Sequence, residues 1–292
     1  MTDKRTSPTA TVAKEAIVIK DILLIVENSA HANPIIRAAV TMAERLAATL
    51  TIEVLTASPL LIPALAPLTT MYVPDWAMAE DEAARINTIS ASVAGSPAVL
   101  RVLGLRDDVF DLARRAGRAG PLVDLIVMGS DADWETRWLR RRASETVVMG
   151  AGTPLLILPG ATALPPVHNA VLGWKDCPEA RRAVHDLVAM TEPGAKVSVV
   201  TVGVEEGDEG SSVESVDEVV RHLVRHGLRA ERKAVTDAAL SDAEVLQAFA
   251  LEDGADLLAI GAFGHTRLRE VMLGGVTRSL LDTVRLPLLV SR

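Results

Sequence analysis

The residues with the most chemical potential lie near the C-terminus of the 292-residue chain. An apolar run over residues 257–260 stops at Gly261. Gly264, His265, Thr266 and Arg267 follow, then the adjacent pair Gly274 and Gly275, with Thr277 two positions on. A glycine directly after a strand lets backbone approach a ligand closely, and a glycine pair where a helix opens leaves N–H groups pointing outward. Together they could cradle phosphate oxygens. Glycines at strand ends and helix starts also serve packing in any α/β protein, so both readings stay open. The run is not a Walker A loop, because no Gly-Lys-Ser/Thr follows. A Gly-x-Ser-x-Gly nucleophile elbow and a His-Glu-x-x-His zinc helix are both missing. His31, His168, His185, His222, His226 and His265 show no recognised metal spacing with acids or cysteine, although His222 and His226 are four apart on one helical face. No metal site and no catalytic residue are therefore expected.

The run from Gly261 through Gly264, His265, Thr266 and Arg267 to Gly274 and Gly275, with the closing apolar strand, resembles the C-terminal signature of the universal stress protein family. Nucleotide-binding members of that family show Gly-x2-Gly-x9-Gly followed by Ser or Thr. Gly261, Gly264 and Gly274 fall on the three glycines. Gly275 stands where the hydroxyl residue is expected, and Thr277 offers a hydroxyl two positions later. The resemblance implies an adenine nucleotide such as ATP, with Mg²⁺ accompanying it, held by Gly261, Gly264, His265, Arg267, Gly274, Gly275, Thr277 and Lys175. Family members carry an Asp at the end of the first strand, two residues before a Ser. Here Lys175 takes the acid's place and Cys177 the serine's, whereas the first half keeps Glu27 and Ser29 there. The resemblance implies a binding or regulatory role in stress response; slow Mg²⁺-dependent ATP hydrolysis and a ligand-free scaffold are the alternatives. His265 serves equally as a loop residue. Cys177 opens a helix where a thiolate would be stabilised by the dipole and Lys175, or else it is an inert small side chain.

These residues need a scaffold, and the chain reads as alternating strands and helices. Apolar runs at 22–26, 51–56, 98–103, 122–128 and 154–158 predict five strands; helical patterns over 34–50, 75–92, 107–118 and 144–149 lie between them. After residues 160–167, which read as a linker, the order repeats. Strands are predicted at 169–173, 196–202, 229–235, 257–260 and 286–290, with helices at 178–190, 213–226, 241–252 and 276–283. The repeat is visible internally: residues 121–130 mirror 254–262, and residues 153–159 mirror 286–292. Such alternation predicts βαβ units and parallel sheets. The expected fold is α/β, with two tandem universal-stress-type (adenine nucleotide alpha hydrolase-like) domains, each a five-stranded, mainly parallel sheet flanked by helices. The expected boundaries are a flexible tail over 1–15, a degenerate domain over 16–159, the linker over 160–167, and a glycine-loop domain over 168–292.

The first half lacks the cradle. Ala132, Arg142 and Ala143 stand where Gly264, Gly274 and Gly275 do, so this half is expected to bind no nucleotide and to contribute stability and interface. Arg137, Arg140, Arg141 and Arg142 are expected as a solvated helix face or as partners of nearby acids. The resemblance also implies that the halves pack as an intramolecular pseudo-dimer, meeting at the last strand of each, and that two chains could form a homodimer. The proline-rich segment 58–74 covers a sheet edge or offers a partner surface.

Composition narrows the class. Hydrophobic residues make up 49% and charged residues 23%, which is globular, and only 3% aromatic content requires an aliphatic core. A formal net charge of −8 argues against nucleic acid as a partner. One cysteine excludes an intrachain disulfide. No run reaches membrane-spanning length, so no membrane partner is expected and a soluble cytoplasmic protein fits.

Overall fold

The computed structural model describes residues 19–58, 75–116, 122–160, 163–203, 211–262 and 274–292. The proline-rich residues 59–74, the acidic stretch 204–210 and Gly264, His265, Thr266 and Arg267 lie outside the described residues. The first half runs β1 (Asp21–Glu27), α1 (Asn33–Leu46), β2 (Thr49–Ser58), α2 (Asp75–Val93), β3 (Leu100–Asp108), α3 (Val109–Arg115), β4 (Leu125–Gly129), α4 (Arg137–Gly150) and β5 (Leu155–Leu158). The second runs β6 (Val167–Gly173), α5 (Pro178–Met190), β7 (Thr191–Val202), α6 (Ser211–Arg225), β8 (Arg229–Val235), α7 (Asp242–Glu252), β9 (Leu257–Gly261), α8 (Gly275–Asp282) and β10 (Leu288–Ser291).

Two five-stranded sheets were expected, but the strands form one ten-stranded sheet in the order β3-β2-β1-β4-β5-β10-β9-β6-β7-β8. Every pairing within a half is parallel. The join is antiparallel, with Leu155 opposite Val290, Leu156 opposite Leu289 and Ile157 opposite Leu288. The reason is physical. β5 reads Leu-Leu-Ile-Leu and is buried throughout, so a bare edge there would leave unpaired backbone groups beside apolar side chains. Pairing with β10 satisfies both edges at once.

The period of two sets the layers. Ile22, Leu24 and Val26 face one core with Leu50, Ile52, Leu156 and Leu289. Leu23 and Ile25 face the opposite core with Ile126, Ile157, Leu258 and Leu288. Side chains of α1, α5 and α6 complete the first core, and those of α3, α4, α7 and α8 the second. Strands covered on both faces are mostly apolar and so read as near-continuous runs, with Thr51 and Glu53 of β2 and Ser198 of β7 among the buried polar exceptions. Among the described residues, no helix is long and apolar enough to cross a membrane.

Three local features differ from the sequence pattern. The first helix stops at Leu46, because Ala47 turns left-handed at φ 49° and β2 then starts at Thr49. Asp107 and Asp108 end β3 rather than begin a helix; Asp108 caps α3 instead, accepting from Phe110 N and Asp111 N. The largest difference is α4, which opens at Arg137 and places Arg140 inside the protein, 1% exposed. Arg140 is therefore not part of a solvated face. Its Nε donates to Gly129 O at 3.0 Å, and its Nη1 to Asp131 Oδ1 at 2.8 Å and to Leu281 O at 3.0 Å. The last bond crosses from the first half to the end of α8. Arg137, Arg141 and Arg142 behave as expected, with partly exposed pairs to Asp131, to Glu145 and Asp282, and to Glu145. Burial lowers the Arg140 pKa, while Asp131 opposes that shift.

Arg140→Met should leave the Gly129 and Leu281 carbonyls without their donor. Urea unfolding is expected to register a loss of about 2–4 kcal/mol. An unchanged midpoint would mean that the seam does not depend on this side chain.

Candidate functional site

In an open parallel sheet, chains leaving neighbouring strands in opposite directions open a crevice beyond the strands' carboxyl ends. In the second half that point lies between β6, which leads on towards β7, and β9, which leads on towards β10. A cavity of about 450 Å³ occupies it. Gly173, Trp174, Lys175 and Asp176 reach it from the end of β6, and Val200, Thr201 and Val202 from the end of β7. Ser215 comes from α6, Asp242 and Leu246 from α7, Ile260 and Gly261 from β9, and Gly274, Gly275, Val276 and Thr277 from the opening of α8. Five of the eight expected site residues thus converge: Lys175, Gly261, Gly274, Gly275 and Thr277. Gly264, His265 and Arg267 belong to the undescribed segment between β9 and α8.

The glycines have different reasons to be glycine. A Cβ on Gly261 would lie 2.4 Å from Ala180 N and 2.5 Å from the Glu179 carbonyl carbon, inside the backbone of the first turn of α5. Gly261 is required by helix packing on β9, in addition to its place on the cavity wall. A Cβ on Gly275 would meet nothing within 4 Å. Gly274 caps α8 with φ −61° and makes no side-chain cap bond. The N–H groups of Gly275, Val276 and Thr277 have no carbonyl one turn behind them within the helix. They lie where the positive end of the helix dipole meets the cavity. Thr277 is 3% exposed and reaches the cavity from within that turn.

Lys175 is exposed at the rim. Asp176 beside it is held by Arg181, Nη2 to Oδ1 at 2.8 Å. Cys177 caps α5 but is 7% exposed, and burial raises its thiol pKa; the thiolate considered from sequence is therefore disfavoured. Apolar side chains form much of the wall: Val200, Leu246, Ile260 and Val276. Sequence reading missed Trp174, Thr201, Ser215, Asp242 and Leu246. Their signal was topological, since they lie just past β6, at the end of β7 and in the first turns of α6 and α7.

At the corresponding place in the first half, a side chain of the chain itself meets helix-opening amides. Met128 and Ile260 each precede the glycine that ends β4 and β9, and they pair with Ile25 and Gly173. Two residues further along stand Glu27 and Lys175, so equal register puts a carboxylate in one half and an ammonium in the other. Glu27 is 7% exposed, and its Oε2 accepts from Glu135 N at 2.8 Å and Thr136 N at 2.9 Å. Those amides lead into α4, which opens more than a turn earlier relative to its strand than α8 does. Glu27 pins the opening of this longer helix. Arg142, which takes the place of Gly274, is exposed and pairs with Glu145 at 2.9 Å. Elsewhere, Asp107, Asp108 and Asp111 form a carboxylate trio. Each of its members is engaged: Asp107 with Arg115 at 2.6 Å, Asp108 as the helix cap, and Asp111 with Arg114.

Fold and site together define a duplicated α/β protein with an open strand-end cavity in its second half. Residues 167–292 match the model of the universal stress protein family. The crystal structure of a universal stress protein from Archaeoglobus fulgidus DSM 4304 aligns with 93% of this chain and 98% of its own, with a TM-score of 0.65 and 15% identity. A functionally unknown protein from Pseudomonas aeruginosa PAO1 aligns with 94% and 92%, with a TM-score of 0.57 and 15% identity. At this identity the likeness shows a shared fold, and it extends over both halves. No curated protein matches the chain in sequence.

Gly261→Ala must push the first turn of α5 away from β9. It is expected to destabilise by about 1–3 kcal/mol in denaturant unfolding. Gly275→Ala has open space and is expected to fall within about 0.5 kcal/mol of the parent. Equal costs would refute this division of roles.

Proposed function

We propose that this protein is a tandem universal stress protein, of domains 16–159 and 168–292 joined by 160–167, whose second domain binds an adenine nucleotide. The general binding or regulatory role follows from the family. The observation supporting a ligand is the contrast at one register: Glu27 occupies helix-opening amides in the first half, whereas Lys175 borders a cavity beside the opening turn of α8, where Gly274 supplies no side-chain cap, in the second. A seat that takes a carboxylate when filled from within suits anionic oxygens when filled from outside.

The residues fit the proposed group in kind. A phosphate chain would take the α8 amides at Gly275, Val276 and Thr277, with Lys175 supplying positive charge. The aliphatic wall of Val200, Leu246 and Ile260 offers a dry surface to a planar base. Lys175 cannot accept a hydrogen bond, so the base or sugar recognition that a carboxylate would give must come from Asp242, Thr201 or Ser215. Mg²⁺, where it accompanies the nucleotide, would be held chiefly by phosphate oxygens and water. Such a site positions and holds; turnover would require an attacking water to be oriented as well.

Calorimetric titration of nucleotide-stripped protein with ATP, with and without Mg²⁺, tests this reading. Saturable binding is expected, weakened at least ~10-fold by Gly275→Val and by Lys175→Glu, about 1.4 kcal/mol or more each. Flat traces for the parent at millimolar ligand would refute nucleotide binding and favour the scaffold alternative. Steady release of phosphate by the same samples would favour hydrolysis.

A further inference from the structure

Three of the six histidines in the chain form one continuous cluster on the α5–α6 face. The His185 ring, from α5, meets the His222 ring, from α6, at 5.4 Å between centroids and an interplanar angle of 83°. His222 meets His226 at 4.5 Å and 49°. His226 lies one residue beyond α6, yet its N–H still bonds to His222 O at 3.2 Å, so the pair keeps helical i, i+4 spacing. A second cavity of about 210 Å³ lies against His185 and His222, with Glu218 one turn before His222 on its wall.

We propose that His185, His222 and His226 bind a divalent transition-metal ion of the zinc class. Two imidazoles four apart on a helix can share one ion, and a third from a neighbouring helix completes the usual nitrogen set of an open tetrahedral site. Zn–N bonds of about 2.0–2.1 Å require the three ring nitrogens to converge. As they stand, the ligand atoms of the three rings do not all lie within 4.8 Å of one another; His185 is exposed and the other two residues are half-buried, so binding requires the rings to turn from their present contacts. The fourth position falls to water or to Glu218. Two cations also border this cavity. Arg181 is turned towards Asp176, and Arg225 stands exposed at the rim, outside the three-ring cluster. Cys177 is the sole thiol and lies buried in the core under α5, so the donor set is imidazole and suits Zn²⁺, Cu²⁺ or Ni²⁺ over Mg²⁺ or Ca²⁺. The bound ion would staple α5 to α6. Trp174 Nε1 donates to Ser215 Oγ at 3.1 Å, and both residues border this cavity and the larger one. The sites therefore adjoin, but metal binding does not depend on the nucleotide reading.

The test uses the full chain with any affinity tag removed and no nucleotide present. Zinc titration near pH ~7.5 should show one saturable site. Cobalt should give a visible absorption band that zinc abolishes. His185→Gln, His222→Gln and His226→Gln should each weaken binding at least ~10-fold, with circular dichroism unchanged. Absence of saturable binding, or binding that survives His222→Gln and His226→Gln, would overturn the site. Loss in those two variants with none in His185→Gln would overturn the three-ligand arrangement.

Discussion

Leu155–Leu158 and Leu288–Ser291 are buried along their full lengths, and each is the outermost strand of its parallel set. Neither could face water without exposing a row of unpaired amides between leucines. Their antiparallel pairing removes both edges and makes the hydrophobic layers continuous across the molecule. Everything near the seam then acquires partners in both halves. Arg140 spans from β4 to the end of α8, and Arg292 Nη1 reaches Met149 O at 2.8 Å. A charge as buried as that of Arg140 is tolerable because two carbonyls and one carboxylate surround it. The seam thus fixes α8 from its C-terminal end and leaves its opening turn free to serve the cavity.

Duplication supplies an internal comparison that a single domain cannot. Both halves have the same strand order, mirrored about the seam, and both end their fourth strand in glycine. They diverge in what lies over the carboxyl ends. In the first half a longer helix opens on Glu27; in the second a shorter helix opens beside a cavity that Lys175 borders. The exchange of carboxylate for ammonium at one register is coherent with that difference. A buried acid needs donors, which the amides at Glu135 and Thr136 provide, whereas Lys175 lies exposed at the cavity rim. The first copy carries Glu27 on the amides over its strand ends, and the second carries a cavity there.

The sequence was most legible where burial dictates pattern. Strands covered on both faces are mostly apolar, and all ten strands were predicted, with ends displaced by up to five residues in β3 and β7. The repeat was equally plain, because mirrored strand–glycine pairs survive when loops diverge. What escaped was set by tertiary contacts. The join of two sheets into one depends on edges meeting in space. The early start of α4 places a basic run partly inside, although arginines on a helix ordinarily signal a wet face. His185 reaches His222 only after α5 and α6 pack side by side, so its spacing of 37 residues in the chain carried no signal.

The glycine pattern shows why a motif has to be separated into its members before it is given a function. Gly129 and Gly261 were matched as strand-end glycines, and both have a packing reason: a Cβ would strike the Asp133 side chain in one case and the α5 backbone in the other. Gly275 has no such constraint. A spacing rule cannot distinguish these, because close approach to a neighbouring helix and close approach to a ligand ask the same of a residue. The distinction appears only when the space a Cβ would take is found either filled or open. By that measure Gly261 has a packing reason of its own beside its place on the cavity wall, while Gly275, where α8 opens, has none.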